Sequence, residues 1–334
     1  MLDLLWILPL SFFISFAICI FLLPYYIKKA RAVDMVGIDV HKLNKPKIAE
    51  SGGIILMLAY LLGLFIFIPF LLEPSASIYT EEIIKIIGTA ATVLFSTFIG
   101  LIDDIYEIRW RIKALTPMLG GVPLAVLSLG VPSFSTPFGD FDFEARLGVF
   151  GLVLFFAFVV PFIVTACANA VNMLAGLNGL EAGSTLIIAS ALTILSILRN
   201  KDEGLIILIP FIGALIAFLY YNKFPSRVFP GDVGTFGMGA VIACVAMLAD
   251  LERAVFVMFL PYTINAMLFF VGKLKGKAPP RIAPMNPDGT IPCPTKWSLR
   301  CLILQIHPIK EKTLTYVMWA IVAVFAIIGL FVYG

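Results

Sequence analysis

The chain has 334 residues, of which 60% are hydrophobic and 13% charged, with a net charge of +3 and a mean hydropathy of +1.02. That apolar share excludes a soluble globular domain and predicts an all-α integral membrane protein. No nucleic-acid partner is expected; the partners to look for are membrane lipids and small anions.

Ten stretches read as membrane crossings of about 20 apolar residues: 4–26, 52–72, 83–102, 117–131, 147–169, 183–198, 205–221, 235–249, 254–272 and 314–333. The first is too long for a signal-peptide core and lacks a cationic start, so it reads as retained. Loops 28–51, 103–114, 170–182, 222–233 and 273–312 hold 19 of the 24 Lys and Arg residues. The positive-inside rule makes these loops cytoplasmic and puts both termini outside. A basic inner face suits anionic lipid heads or phosphorylated substrates. The two longest loops are too short to bury a core, so residues 1–334 read as one polytopic domain. Loop 273–312, with "GKAPPRIAPMNPDGTIPCP", reads as ordered but irregular. The outer stretch "PSFSTPFGDFDFEAR" alternates Phe and reads as a hairpin. Five scattered Cys read as apolar fillers, and no Cys and His cluster signals a zinc site.

Polarity gathers on the inner face, in four places. In the first long loop, "VDMVGIDVHKLNKPKIAESGGI", Lys42, Lys45 and Lys47 supply positive charge and Glu50 an acid. In "FIGLIDDIYEIRWRIK", Asp103 and Asp104 end the third crossing. Successive helix residues point about 100° apart, so the two carboxylates take different roles. Carboxylates at membrane depth are costly and mark function. Glu107 and Arg111 read as an i to i+4 helix pair, Trp110 as an interfacial aromatic and Lys113 as a mobile charge suited to phosphate. The loop "CANAVNMLAGLNGLEAGS" has no cation, yet it carries Asn172, Asn178 and Glu181 among glycines that let backbone amides approach an anion. In "NKFPSRVFPGDVGTFGMG", Asp232 precedes the eighth crossing and would cap it. It also fits a cation site with Asn172, because magnesium takes one or two protein oxygens and fills its shell with water and phosphate. Pro261 and Asn265 predict a kinked ninth crossing with a polar group inside it.

The motifs "GLIDDIYEIRWRIK", "NAVNMLAGLNGLEAG", "FPSRVFPGDVGT" and "GIDVHKLNKPKIAESGG" together resemble the polyprenyl-phosphate N-acetylhexosamine 1-phosphate transferases, most closely the dolichyl-phosphate GlcNAc phosphotransferase branch of eukaryotes and archaea. The resemblance runs along the whole chain. It implies a ten-span enzyme, often a homodimer, that moves GlcNAc 1-phosphate from UDP-GlcNAc to dolichyl or polyprenyl phosphate and releases UMP, the first step of lipid-linked glycan assembly. It implies a cell-membrane location in a prokaryote or archaeon and the endoplasmic reticulum in a eukaryote. Magnesium, or manganese in its place, is implied on Asn172 and Asp232, with Asp103, Asp104 and Lys113 as catalytic groups. Asn178 and Phe229 match uridine contacts, and Trp110 a residue near the lipid phosphate. Glu50, Lys45 and Glu181 join the substrate set. The last loop has neither the histidine-rich motif of bacterial relatives nor the Arg-His-Arg motif of the eukaryotic branch, and Arg281 is carried over there as the sugar or phosphate contact. Within this class, another UDP-HexNAc donor and a covalent aspartyl-phosphate route stay open. The reading from a different class is a transporter of a nucleotide sugar or organic anion.

Overall fold

The computed structural model describes residues 6–72, 80–127, 132–277 and 285–334. Helix α1 (Ile7–Ala32) leads into a two-stranded ladder, β1 (Val36–Ile38) with β2 (Lys47–Ala49), then α2 (Gly53–Phe65) with α3 (Phe67–Leu71), and α4 (Thr80–Tyr106). After the short α5 (Trp110–Lys113) come a 3-10 segment (Thr116–Gly121), α6 (Val122–Val126) and the hairpin β3 (Ser133–Thr136) and β4 (Gly139–Asp142). Helices α7 (Phe143–Leu154) and α8 (Val160–Leu174) run on through a π-helical turn. They are followed by α9 (Leu180–Leu198), α10 (Asp202–Asn222) and α11 (Gly231–Leu248). The chain closes with α12 (Glu252–Met258), α13 (Leu260–Leu274), β5 (Thr290–Ile291), α14 (Leu299–Ile306), β6 (Ile309–Lys310) and α15 (Glu311–Tyr333).

Among the described residues eight helices are long and apolar enough to cross a membrane, or nine if the α12–α13 pair, bent by 59°, is counted as one span. The bend falls just before Pro261, where sequence places the kink. The expected fourth crossing, 117–131, is not a long helix. Pro117 and Pro123 each withhold a backbone donor and Gly120 and Gly121 loosen the chain between them, so residues 116–126 form a 3-10 segment and one short helix. Residues on either side of this stretch lie at opposite ends of α11. Lys113 meets the first turn of α11, whereas Asp140 on β4 meets Arg253 beyond the far end of α11. The carbonyl of Tyr333, near the end of α15, accepts from Arg199 Nε at 2.7 Å on that same far face.

Helix α11 is the centre of the bundle, with every residue from Val233 to Leu248 buried. Its small residues allow close approach of neighbours, which replaces a hydrophobic driving force inside lipid. At Gly100 a Cβ would press on the backbone of Asp232 and Val233, so only glycine lets α4 bring its acids this close. Gly231 has φ +67°, and a Cβ there would meet Asp104 and lie 2.9 Å from Ser51 Cα. Gly231→Ala combines left-handed strain of about 1–2 kcal/mol with displacement of Asp104. The expected result is a lower thermal midpoint in detergent; an unchanged midpoint would show that this turn is not constrained.

Three readings need correction here. Cys293 and Cys301 form a disulfide, while Cys19, Cys167 and Cys244 are buried free thiols; eight residues of separation with a turn between them were not a recognisable metal or redox spacing. The loop 273–312 contains α14, started by Ser298, whose hydroxyl accepts from Cys301 N at 3.3 Å. Glu107 and Arg111 are not one turn apart on a helix. α4 stops at Tyr106 and Glu107 takes φ +48°, because the Asp103 carboxylate accepts from Ile108 N at 2.8 Å and turns the chain out of the helix.

Candidate active site

The ends of α4 and α8 and the starts of α9 and α11 meet at a cavity of about 300 Å³. Asp104, Asn172, Asn178, Glu181, Phe229 and Asp232, all singled out from sequence, line it, and so does Glu50. Asp103 and Lys113 reach the same centre through Asp232: Lys113 Nζ lies 2.6 Å from Asp103 Oδ2 and bonds Asp232 Oδ2. Asn172 donates to the other oxygen of Asp232 and to Thr235 Oγ1 at 2.9 Å.

The adjacent acids do separate work, as their helical spacing requires. Asp104 accepts from Ser51 Oγ at 2.7 Å and from the Asp232 amide at 2.7 Å. It thereby satisfies an orphan donor of the first turn of α11 from a different helix. Asp232 sits inside that turn and is capped from outside, so the expectation that it caps α11 is wrong. Asp103 is buried and faces Lys113. Burial pulls the Lys113 ammonium down, but Asp232 and Asp103 outweigh it and hold its pKa above the ordinary lysine range. Lys113 is therefore a fixed cation beside Asp232. Burial, then the charges of Asp104 and Glu107, push the Glu50 carboxyl above its usual range.

A second polar layer closes the cavity from the loop side. Asn178 receives neighbours on every polar atom: its Oδ1 accepts from Ser226 N at 2.7 Å, its Nδ2 donates to Asp39 Oδ2 at 3.2 Å, and its amide donates to Glu311 Oε1 at 2.8 Å. Lys42 pairs with Glu311 and lies 3.3 Å from Asp39. Glu181 Oε1 accepts from Gly176 N at 2.7 Å, and His41 Nε2 meets Gly176 O at 3.0 Å. Asp39, His41, Ser51 and Glu311 are thus parts of the site that sequence reasoning missed. Of these, Glu311 was open to the reasoning that singled out Asp232, since it is an acid that opens the last helix.

Two expected site residues, Trp110 and Lys45, are not brought to the cavity. Trp110 is 45% exposed, with Lys273 Nζ 3.1 Å from its ring centre. Lys45 is exposed on the turn between β1 and β2. Arg281 lies outside the described residues.

The His41 imidazole is buried, and burial pulls its pKa down to about 4. The folded protein resists a proton that the unfolded chain accepts below about 6.5, so stability is present above that pH and is lost as pH falls toward 4. The expected outcome is a steeper loss of thermal midpoint between pH 7 and 5 for the wild type than for His41→Gln. Equal slopes would show that His41 is not the group responsible.

The donor set suits a hard divalent cation: one carboxylate, one amide oxygen after rotation of the Asn172 side chain, and room for ligand phosphate. No group of three His, Cys, Asp or Glu side chains arranged around an ion occurs among the described residues, so a cation would depend on Asp232, Asn172 and the substrate itself.

The family described as Glycosyl transferase family 4 matches residues 86–250, a span that starts in α4 and ends just beyond α11. A protein of Saccharolobus solfataricus named putative UDP-N-acetylglucosamine–dolichyl-phosphate N-acetylglucosaminephosphotransferase is 30% identical over 325 residues, 96% of this chain and 94% of its own. A Dictyostelium discoideum protein, a UDP-N-acetylglucosamine–dolichyl-phosphate N-acetylglucosaminephosphotransferase by name, is 30% identical over 92% of this chain and 85% of its own. A phospho-N-acetylmuramoyl-pentapeptide-transferase of Streptococcus uberis is 29% identical over 75% and 76%. Likeness at that level along almost the entire length, with the matched segment carrying Asp103, Asp104, Lys113, Asn172 and Asp232, places this chain in glycosyl transferase family 4.

Proposed function

We propose that this single polytopic domain transfers N-acetylglucosamine 1-phosphate from UDP-GlcNAc to dolichyl or another polyprenyl phosphate, giving a GlcNAc-diphospho-lipid and UMP. The observation that carries the reading is Asp232, which is shared by Lys113 and Asn172 at the wall of a cavity of small-molecule size. Nearly full-length relatives whose names state this reaction support it. The cavity lies on the face that gathers the cationic loops, which we assign to the cytoplasm, with ten crossings and both termini outside. There the head of a membrane lipid meets a soluble nucleotide. Homodimerisation belongs to the same proposal.

A phosphate monoester is largely ionised at neutral pH, so the acceptor needs little activation and the obstacle is repulsion between anions. Lys113 counters that repulsion on the acceptor side, and Asp103 fixes its ammonium there. Asp103 also stands ready to take the residual proton of the acceptor. Asp104 keeps Asp232 in place through the α11 amide. Asn178 and Phe229 receive the uridine, and Glu181 shapes the glycine turn below it. Asp232 and Asn172 would hold magnesium, or manganese in its place, which supplies charge stabilisation at the phosphates. The displacement is in line and direct at the sugar-bearing phosphorus.

Purified protein with UDP-GlcNAc is expected to release UMP only when polyprenyl phosphate is present. Release without acceptor, together with a phosphorylated enzyme that can be isolated, would replace the direct route by a covalent one. No release with any UDP-HexNAc would overturn the proposal.

A further inference from the structure

One more cation lies against two residues of the cavity wall, on an element that the resemblance does not use. Arg300 projects from α14 and its Nη1 donates to Ala175 O at 2.8 Å. It lies so close to Gly176 that a Cβ there would strike the guanidinium. Ala175 and Gly176 both line the cavity. α14 is held in position by Asn265 in the bent crossing: Asn265 Oδ1 accepts from Leu299 N at 3.0 Å and its Nδ2 donates to Met173 O at 2.8 Å. The Cys293–Cys301 disulfide ties the next residue of the helix to the loop before it.

A guanidinium carries five N–H donors, and one of them has a partner among the described residues. Burial pulls its pKa below the ordinary arginine range, against the favourable charge of Glu181. Glu181, however, spends Oε1 on the Gly176 amide, and no ion pair involving Arg300 forms among the described residues. Arg300 is half-buried, and a guanidinium held there without a bonded counter-ion leaves donors that an arriving anion can satisfy. A planar fork of this kind matches the oxygens of a phosphate. The competing explanation is a cation resting on the last carbonyls of α8, where the helix dipole favours it. That role uses one donor and leaves the rest of the fork unexplained.

We infer that Arg300 is a binding residue for the diphosphate of the nucleotide sugar, reaching the cavity from the last loop beside Gly176. This rests on the function proposed above, with Lys113 serving the acceptor side and Arg300 the donor side.

The test is equilibrium binding of UDP and of uridine to the purified protein with magnesium, for the wild type, Arg300→Gln and Arg300→Lys, with thermal midpoints measured alongside. Gln keeps a neutral donor for Ala175 O, so it preserves the positioning role and removes the charge. The expected result is at least a tenfold loss of UDP affinity in Arg300→Gln with uridine affinity within twofold, and an intermediate loss in Arg300→Lys. Should the Gln variant not fold, the Lys variant alone carries the test through its ratio of UDP to uridine affinity, which must fall below that of the wild type. Wild-type UDP affinity in both variants, or equal losses for UDP and uridine, would overturn the assignment while leaving the proposed function standing. A wild-type protein that binds neither ligand would overturn both.

Discussion

Asp232→Asn is expected to lower turnover by about 10²–10³-fold, the scale for removing one main electrostatic element of an active site, with little change in thermal midpoint. Its carboxylate is the point at which Lys113 and Asn172 meet, and the amide that replaces it is neutral. Lys113 would retain Asp103 as its only acid partner, so the ammonium would swing away from the cavity. The fold should survive, because the Asp104 cap bonds the backbone amide of residue 232, which the substitution leaves in place. Steady-state rates with magnesium titrations check this. A variant with full activity and unchanged metal dependence would remove Asp232 from the cation site.

The second large effect is a split between neighbours. Asp104→Ala leaves the first amides of α11 and the Ser51 hydroxyl without their acceptor, and loss of a helix cap costs about 1–2 kcal/mol. It is expected to lower the thermal midpoint and activity together. Asp103→Ala removes the acid that faces Lys113 and one bond to Ile108 N. Activity is expected to fall by about 10²–10⁴-fold, the usual worth of a positioned acid–base group, with a smaller change in midpoint than in Asp104→Ala. The reverse pattern would exchange the two roles. A differential scan of both variants beside their rates decides it.

The split shows what could be read from the sequence. Two adjacent acids on a helix predict two roles, and the structure supplies two, but which acid does which depends on the approach of α11 to Gly100, a tertiary contact that no spacing reveals. Asn172, Asn178, Glu181 and Asp232 were legible because polar groups at membrane depth are expensive. Asp39, His41 and Ser51 were not, since a polar residue in an already polar loop costs nothing by sequence alone. Glu107 and Arg111 misled because helical periodicity was extended past a side-chain bond that ends the helix. The fourth crossing misled in the same way: mean hydropathy counts apolar residues and is blind to two prolines and a glycine pair that break the helix they would form. The importance of α14 was hidden by the Pro and Gly content of the loop before it. Its anchors, Asn265 and Ser298, are single polar residues far apart in the chain.

The most direct test of the account is the lipid product. Purified protein in detergent with UDP-GlcNAc, dolichyl phosphate and magnesium should yield, by mass spectrometry, a lipid heavier by one GlcNAc 1-phosphate and an equal amount of UMP, and Asp232→Asn should yield neither. An unmodified lipid, with intact UDP-GlcNAc moving across vesicles that contain the protein, would contradict the account and identify a transporter.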